Sequence, residues 1–159
     1  MISPGAHWVV SYDPATGKEN WRARHGEGFS IGSCPVFGNG MAYFSTGCMK
    51  PQLWAVRVDG AGDVTTTHAA WKTTRQVPVM SSPVLLGDEL YWTSDDGIAN
   101  CVDARGGEVI WQERMNEQHL ASPLAQVRQA QPVPPPGQAP SACPLAPCRH
   151  QVTAGSGPA

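Results

Sequence analysis

The stretch Tyr12-Asp13-Pro14-Ala15-Thr16-Gly17-Lys18-Glu19-Asn20-Trp21 places an aspartate four residues before a glycine and eight before a tryptophan. The same spacing returns at Asp103, Gly107 and Trp111, after the apolar run Ile98 to Val102. Between them lies a looser copy, Leu53-Trp54-Ala55-Val56-Arg57-Val58-Asp59, which reaches its tryptophan only at Trp71. Aligned on Asp59, this copy is longer by four residues within Gly60 to His68, an insertion that a surface loop tolerates at little cost.

A second marker runs out of phase with the first. Cys34-Pro35-Val36-Phe37, Ser82-Pro83-Val84-Leu85 and Ser122-Pro123-Leu124 place prolines 48 and 40 residues apart, while the three tryptophans stand 50 and 40 apart. Tyr43-Phe44 and Tyr91-Trp92 follow the first two prolines at equal distances, so a whole pattern recurs. A unit of about 40 residues made of short β-rich runs between Gly, Asn and Asp turns predicts a four-stranded propeller blade. In the clearest unit the strands are expected at 83–86, 89–94, 97–103 and 108–113. The turns Gly87-Asp88, Asp95-Asp96-Gly97 and 104–107 join them, all with residues that accept positive φ or bond their own backbone. Asp13 and Asp103 are positioned to accept backbone N–H groups across their turns, and Gly17 and Gly107 to take a left-handed conformation. Trp21, Trp71 and Trp111 are expected on outer strands. Each would cover the seam to a neighbouring blade with roughly 150–250 Å2 of surface and aim its indole N–H at a backbone carbonyl.

Composition restricts partners and exposes an uneven chain. With a formal charge of −2 and 15% charged residues, the 159 residues carry no basic field for nucleic acid or an anionic membrane. No apolar run reaches the length of a membrane-spanning helix, and Met1 to Gly5 has no signal-peptide pattern. Every Trp, Tyr, Phe and Ile and all 13 acidic residues precede Ala125. Residues 125–159 hold eight prolines and scattered aliphatics, too little apolar surface to offset ordering, and read as a disordered Pro-rich tail. The expected organisation is therefore an all-β repeat segment at 1–124, with blade boundaries near 33, 81 and 121, followed by this tail.

The quoted motif, with the Ser-Pro-Val starts, resembles the PQQ-like β-propeller repeat, the tryptophan-docking motif of quinoprotein alcohol dehydrogenases and BamB-like proteins. The resemblance covers residues 7 to 124. It departs at Gly106, where the first copy has Thr16, and at Trp71, which has no matching glycine. It implies rings of seven or eight blades. This chain holds about two complete four-stranded antiparallel blades plus partial flanking ones, an incomplete propeller opening on the last two strands of a blade at 7–13 and 19–24. The break after Leu124 suggests a truncated product, with the tail read in a shifted frame.

Chemistry is sparse. The structural motif comprises Asp13, Gly17, Trp21, Asp59, Trp71, Asp103, Gly107, Trp111, Pro35, Pro83 and Pro123, and no catalytic, cofactor-binding or metal-binding residue is assigned. A quinoprotein dehydrogenase needs a catalytic Asp, a Ca2+ held by Glu, Asn and Asp oxygens and, in many members, adjacent cysteines, which this sequence does not have. Asp95-Asp96-Gly97 reads as a turn and not a Ca2+ loop. Cys143, Cys148 and His150 offer three ligands without a fourth. Cys101 reads as a small core residue, and Cys34 and Cys48 flank a hairpin and are able to pair in an exported protein. Met41, Met49 and Met80 read as strand and loop packing. His7, His25, His68, His119 and His150 form no ligand pattern. The expectation is a non-catalytic scaffold or binding platform within a larger repeat protein, needing no cofactor. Its partners would be another protein or the remaining blades, with self-association through open blade edges as a further route. The alternative is a fragment of a PQQ-dependent alcohol dehydrogenase, using PQQ with Ca2+. Resemblance implies an exported, periplasmic setting.

Overall fold

A computed structural model describes residues 1–28, 30–115, 121–125 and 152–154. All its regular structure is β, and no helix occurs among the described residues. Three four-stranded sheets follow one another along the chain. The middle one consists of β4 (Val36–Gly38), β5 (Met41–Ser45), β6 (Leu53–Arg57) and β8 (Ala69–Thr73). The third consists of β9 (Val84–Leu86), β10 (Glu89–Thr93), β11 (Ile98–Asp103) and β12 (Val109–Arg114). These two are up-and-down antiparallel meanders with the first strand innermost, the arrangement of a propeller blade.

Local chemistry explains the turns. Asn39 and Gly40 both have positive φ (54° and 72°), which joins β4 to β5 in two residues. Pro35, Pro83 and Pro123 stand at the starts of the inner strands, where a missing N–H costs no ladder bond. The residues before them bond from blade to blade. Cys34 N–H donates to Ser82 Oγ and Ser82 N–H donates to Ser122 Oγ, at 2.8 and 2.9 Å. These paired bonds are the physical content of the Ser-Pro period. Leu85 packs against Gly38 so closely that a β-carbon there would lie 2.2 Å from Leu85 Cδ2.

Two expectations need correction. The first sheet does not begin at residue 7. β1 (Ile2–Pro4) pairs with β2 (Trp8–Tyr12), which pairs with β3 (Glu19–Arg24), so three strands of that blade are present. Its fourth member is β7 (Gly62–Asp63), which comes from the insertion of the next blade and lies parallel to β3. The insertion is therefore not a passive loop. Val64 N–H donates to Arg22 O at 2.9 Å and Arg24 N–H to Thr65 Oγ1 at 2.8 Å, tying the first two blades across their outer edge. Beyond the third sheet, β13 (Pro123–Ala125) pairs with β14 (Val152–Ala154). The rest of the Pro-rich tail, including Cys143, Cys148 and His150, lies outside the described residues, as does His119.

The core divides between the seams. Val9, Trp21, Ala23, Phe44, Trp54, Val56 and Val64 fill the space between the first and second blades. Tyr43, Leu53, Ala55, Leu90, Trp92 and Val102 fill that between the second and third. Cys101 is wholly buried, and burial raises its thiol pKa. Cys34 and Cys48 are exposed free thiols that are not joined. Met41 packs on the second core and Met80, although partly exposed, lays its thioether against Gly32, whereas Met49 stands exposed.

His25 closes the first seam. It is buried, its ring meets Phe44 edge-on at 6.1 Å, and its Nε2 donates to Gly5 O at 2.9 Å, which leaves Nδ1 unprotonated and without a partner. A proton on Nδ1 would create a buried donor with nothing to bond, so desolvation lowers the pKa. The unfolded chain then takes up protons first, and stability, intact above the unfolded value near 6.5, falls as pH drops through and below it. Urea midpoints measured from pH 8 to 5 are expected to fall in that window for the wild type, and His25→Gln is expected to flatten the decline.

Candidate functional site

The recurring constellation is the outer-strand tryptophan and the turn it meets. In the first and third blades, the turn is built identically. Asp13 N–H donates to Lys18 O and Gly17 N–H to Asp13 O, both at 2.8 Å. Asp103 N–H donates to Glu108 O and Gly107 N–H to Asp103 O, again both at 2.8 Å. The carboxylates accept from inside the loop. Asp13 takes Ala15 N–H at 2.9 Å and Thr16 Oγ1 at 2.8 Å, which hold its pKa below the usual value. Asp103 takes Gly106 N–H. Gly17 and Gly107 have φ of 71° and 79°, so glycine avoids a cost of about 1 kcal/mol that a β-carbon would bring.

Asp59 is not the counterpart of Asp13 and Asp103. Ladder register settles this: Met41 faces Arg57 as Glu89 faces Asp103, and Arg57 N–H donates to His68 O as Asp103 N–H does to Glu108 O. Arg57 holds the position and works with inverted polarity, its Nη2 donating to Thr67 O at 2.6 Å. Asp59 lies two residues on, in the insertion, 3.6 Å from His68 Nε2. The insertion is accordingly two residues longer than alignment on Asp59 suggests. Asp63 stabilises its crossing by accepting Thr65 N–H at 3.0 Å and Thr65 Oγ1 at 2.5 Å, bonds that lower its own pKa.

The tryptophans occupy the same register but three environments. Ser11, Ala55 and Cys101 face Trp21, Trp71 and Trp111, each one residue before a β-bulge. Trp71 Nε1 donates to Ala104 O in the next blade at 2.9 Å. Its ring lies over Gly107, where a β-carbon would come within 2.7 Å of Cδ2. Trp21 is fully buried, packed with Val64 and Val58 of the insertion. Trp111 is 37% exposed, beside Val109 and Ile110, which are more exposed still. Tyr43 and Tyr91 back Trp71 and Trp111 alike, both at 6.1 Å, and burial raises the pKa of both tyrosines. Sequence reasoning passed over this tyrosine support, although Tyr43 and Tyr91 belong to the repeated pattern.

Two clefts follow the seams. One of about 750 Å3 lies between the first two blades, lined in part by Met1, Ile2, Trp21, Val36, Phe37 and Asp59. Another of about 520 Å3 lies between the next two, beside Trp92, Gly107 and Gln112. Asp95, raised as a Ca2+ candidate, accepts Val79 N–H at 3.1 Å in its turn. Among the described residues, no group of three or more His, Cys, Asp or Glu is placed to hold a metal.

Successive four-stranded blades that carry the outer-strand tryptophan at one register, Trp71 docked on the next blade's turn, define a β-propeller of PQQ-like repeats. A family model described as outer membrane protein assembly factor BamB matches residues 5–137, and the chain belongs to that family. BamB from Moraxella catarrhalis superposes with a TM-score of 0.60 at 19% identity, over 79% of this chain and 35% of that protein. A europium-containing methanol dehydrogenase superposes with a TM-score of 0.51 at 14% identity, over 70% of this chain and 22% of that one. At these identities the likeness is one of fold, and the chain spans about a third of BamB and a fifth of the dehydrogenase. No curated protein matches.

The docking geometry ranks the tryptophans. Trp71→Phe retains the ring but strands Ala104 O, and is expected to cost about 1 kcal/mol. Trp111→Phe, at a partly exposed indole, is expected to cost clearly less; chemical denaturation of both variants checks the order, and equal losses would contradict it.

Proposed function

We propose that the chain is a non-catalytic propeller segment that serves as a scaffold or protein-binding platform, in an exported protein. The observation that supports this most is that the repeated side chains are committed to architecture. Asp13 and Asp103 bond their own turns, and Trp71 bonds a backbone carbonyl, so none presents a free reactive group. Membership in a family described as an outer membrane protein assembly factor points the same way, toward protein partners in the assembly of outer membrane proteins. Trp8, with the guanidinium carbons of Arg22 and Arg24 at 5.6 and 5.9 Å from its ring centre, offers the aromatic and arginine surface that protein interfaces favour.

Likeness to a methanol dehydrogenase favours a second reading, a fragment of a PQQ-dependent alcohol dehydrogenase. The two separate by titration of the chain with PQQ and Ca2+, followed by tryptophan fluorescence, and by dye-linked methanol oxidation in a longer protein carrying these residues. The scaffold reading expects no saturable quenching and no turnover. Saturable one-to-one binding together with oxidation would replace it with the dehydrogenase.

A further inference from the structure

The two ends of the described fold carry complementary halves of one blade seam. At the tail end, Trp111 is held by Tyr91 in the register that Trp71 has against Tyr43, but is 37% exposed where Trp71 is docked. Beside it β13 stands in an inner-strand position, bonded to the third blade through Ser122 as that blade is bonded to the second through Ser82, with Leu124 71% exposed. At the head end, the turn Asp13–Gly17 repeats the hydrogen bonds and glycine conformation of Asp103–Gly107, the turn on which Trp71 sits. A β-carbon at Gly17 would meet nothing within 4 Å, so the place over this glycine is open.

The inner side of the first blade matches as well. Ile2 faces Ser11 as Tyr91 faces Cys101, and Tyr91 also pairs with Val84 of an inner strand. Among the described residues no strand fills that place beside Ile2. Phe37, whose counterpart Leu85 packs on the preceding blade's Gly38, is 63% exposed there and lines the cleft of about 750 Å3 with Met1 and Ile2.

We infer that chain 1–159 associates head to tail with a second copy of itself, Trp111 of one copy docking on the Asp13–Gly17 turn of the next while β13 takes the inner-strand place beside Ile2. The indole N–H of Trp111 meets Pro14 O, the counterpart of Ala104 O. The pairing of β13 with β14 gives way, since the incoming blade occupies the edge that β14 holds. The contact is heterologous, so it propagates to a ring or a filament and does not stop at a twofold dimer. A longer protein containing these residues supplies both halves from its own blades. The inference goes beyond the scaffold role and does not depend on it.

Analytical ultracentrifugation of the full chain tests it by complementation. Wild type is expected to associate with increasing concentration. Trp111→Ala removes the tail half, and Gly17→Asn places a β-carbon under the indole while tolerating positive φ; each alone is expected to weaken association by roughly 30-fold or more. Mixed in equal amounts they have one intact junction and are expected to give a one-to-one dimer and nothing larger. Leu124→Asp with Phe37→Asp, both at exposed positions, repeats the test should either first variant lose its near-ultraviolet circular dichroism. A monomeric wild type, a Trp111→Ala variant that associates as wild type does, or a mixture of folded variants that stays monomeric would overturn the inference.

Discussion

The structure depends on an indole laid across a seam. A single four-stranded sheet of this size has two apolar faces and cannot bury either alone, so each blade is stable only against its neighbours. Trp71 makes that dependence specific by combining a large apolar ring with one donor that must find an acceptor, and Ala104 O is the acceptor. Gly107 is then required twice, for its φ of 79° and for the absence of a β-carbon under the ring. The aspartate that opens the turn holds the carbonyl and the glycine in place through bonds to the loop's own N–H groups.

The three seams show what happens as this arrangement is varied. Where the turn is complete, the tryptophan docks on it. Where the insertion replaces the turn, Arg57 keeps the backbone bond of the missing aspartate, and the inserted chain crosses over to bury Trp21 with Val64 and to pair with β3. The insertion thus substitutes edge pairing between blades for indole docking. At the third seam, where the described residues supply only β13 and β14 beyond the blade, Trp111 is partly exposed and Val109 and Ile110 more so, an apolar edge strand of the kind proteins otherwise cover.

Much of this was legible from the sequence because both markers are backbone requirements. A Pro at the start of each inner strand and a Gly four residues after Asp13 and Asp103 report positions where few residues fit, and the period survives divergence elsewhere. What was not legible is equally physical. Asp59 drew the alignment by residue type, whereas the ladder places Arg57 there, since a guanidinium donating to a carbonyl closes the loop as well as a carboxylate accepting an N–H. Ile2–Pro4 is too short and too polar to signal a strand, and forms one because β2 offers it an edge. The crossing of the insertion depends on partners in another blade, which no local pattern reveals. Docking of individual tryptophans likewise depends on what stands opposite them, so Trp21, Trp71 and Trp111 read alike in sequence and differ in burial.

Coupling between Trp71 and Gly107 measures the central contact directly. Gly107→Ala introduces a methyl group 2.7 Å from the indole as well as a positive-φ penalty, whereas in a Trp71→Ala background only the penalty of about 1 kcal/mol remains. A double-mutant cycle by denaturant unfolding is expected to show that Gly107→Ala costs at least ~1 kcal/mol more beside Trp71 than without it. Additive costs, the glycine substitution weighing the same in both backgrounds, would contradict the docked indole on which the rest of the fold is built.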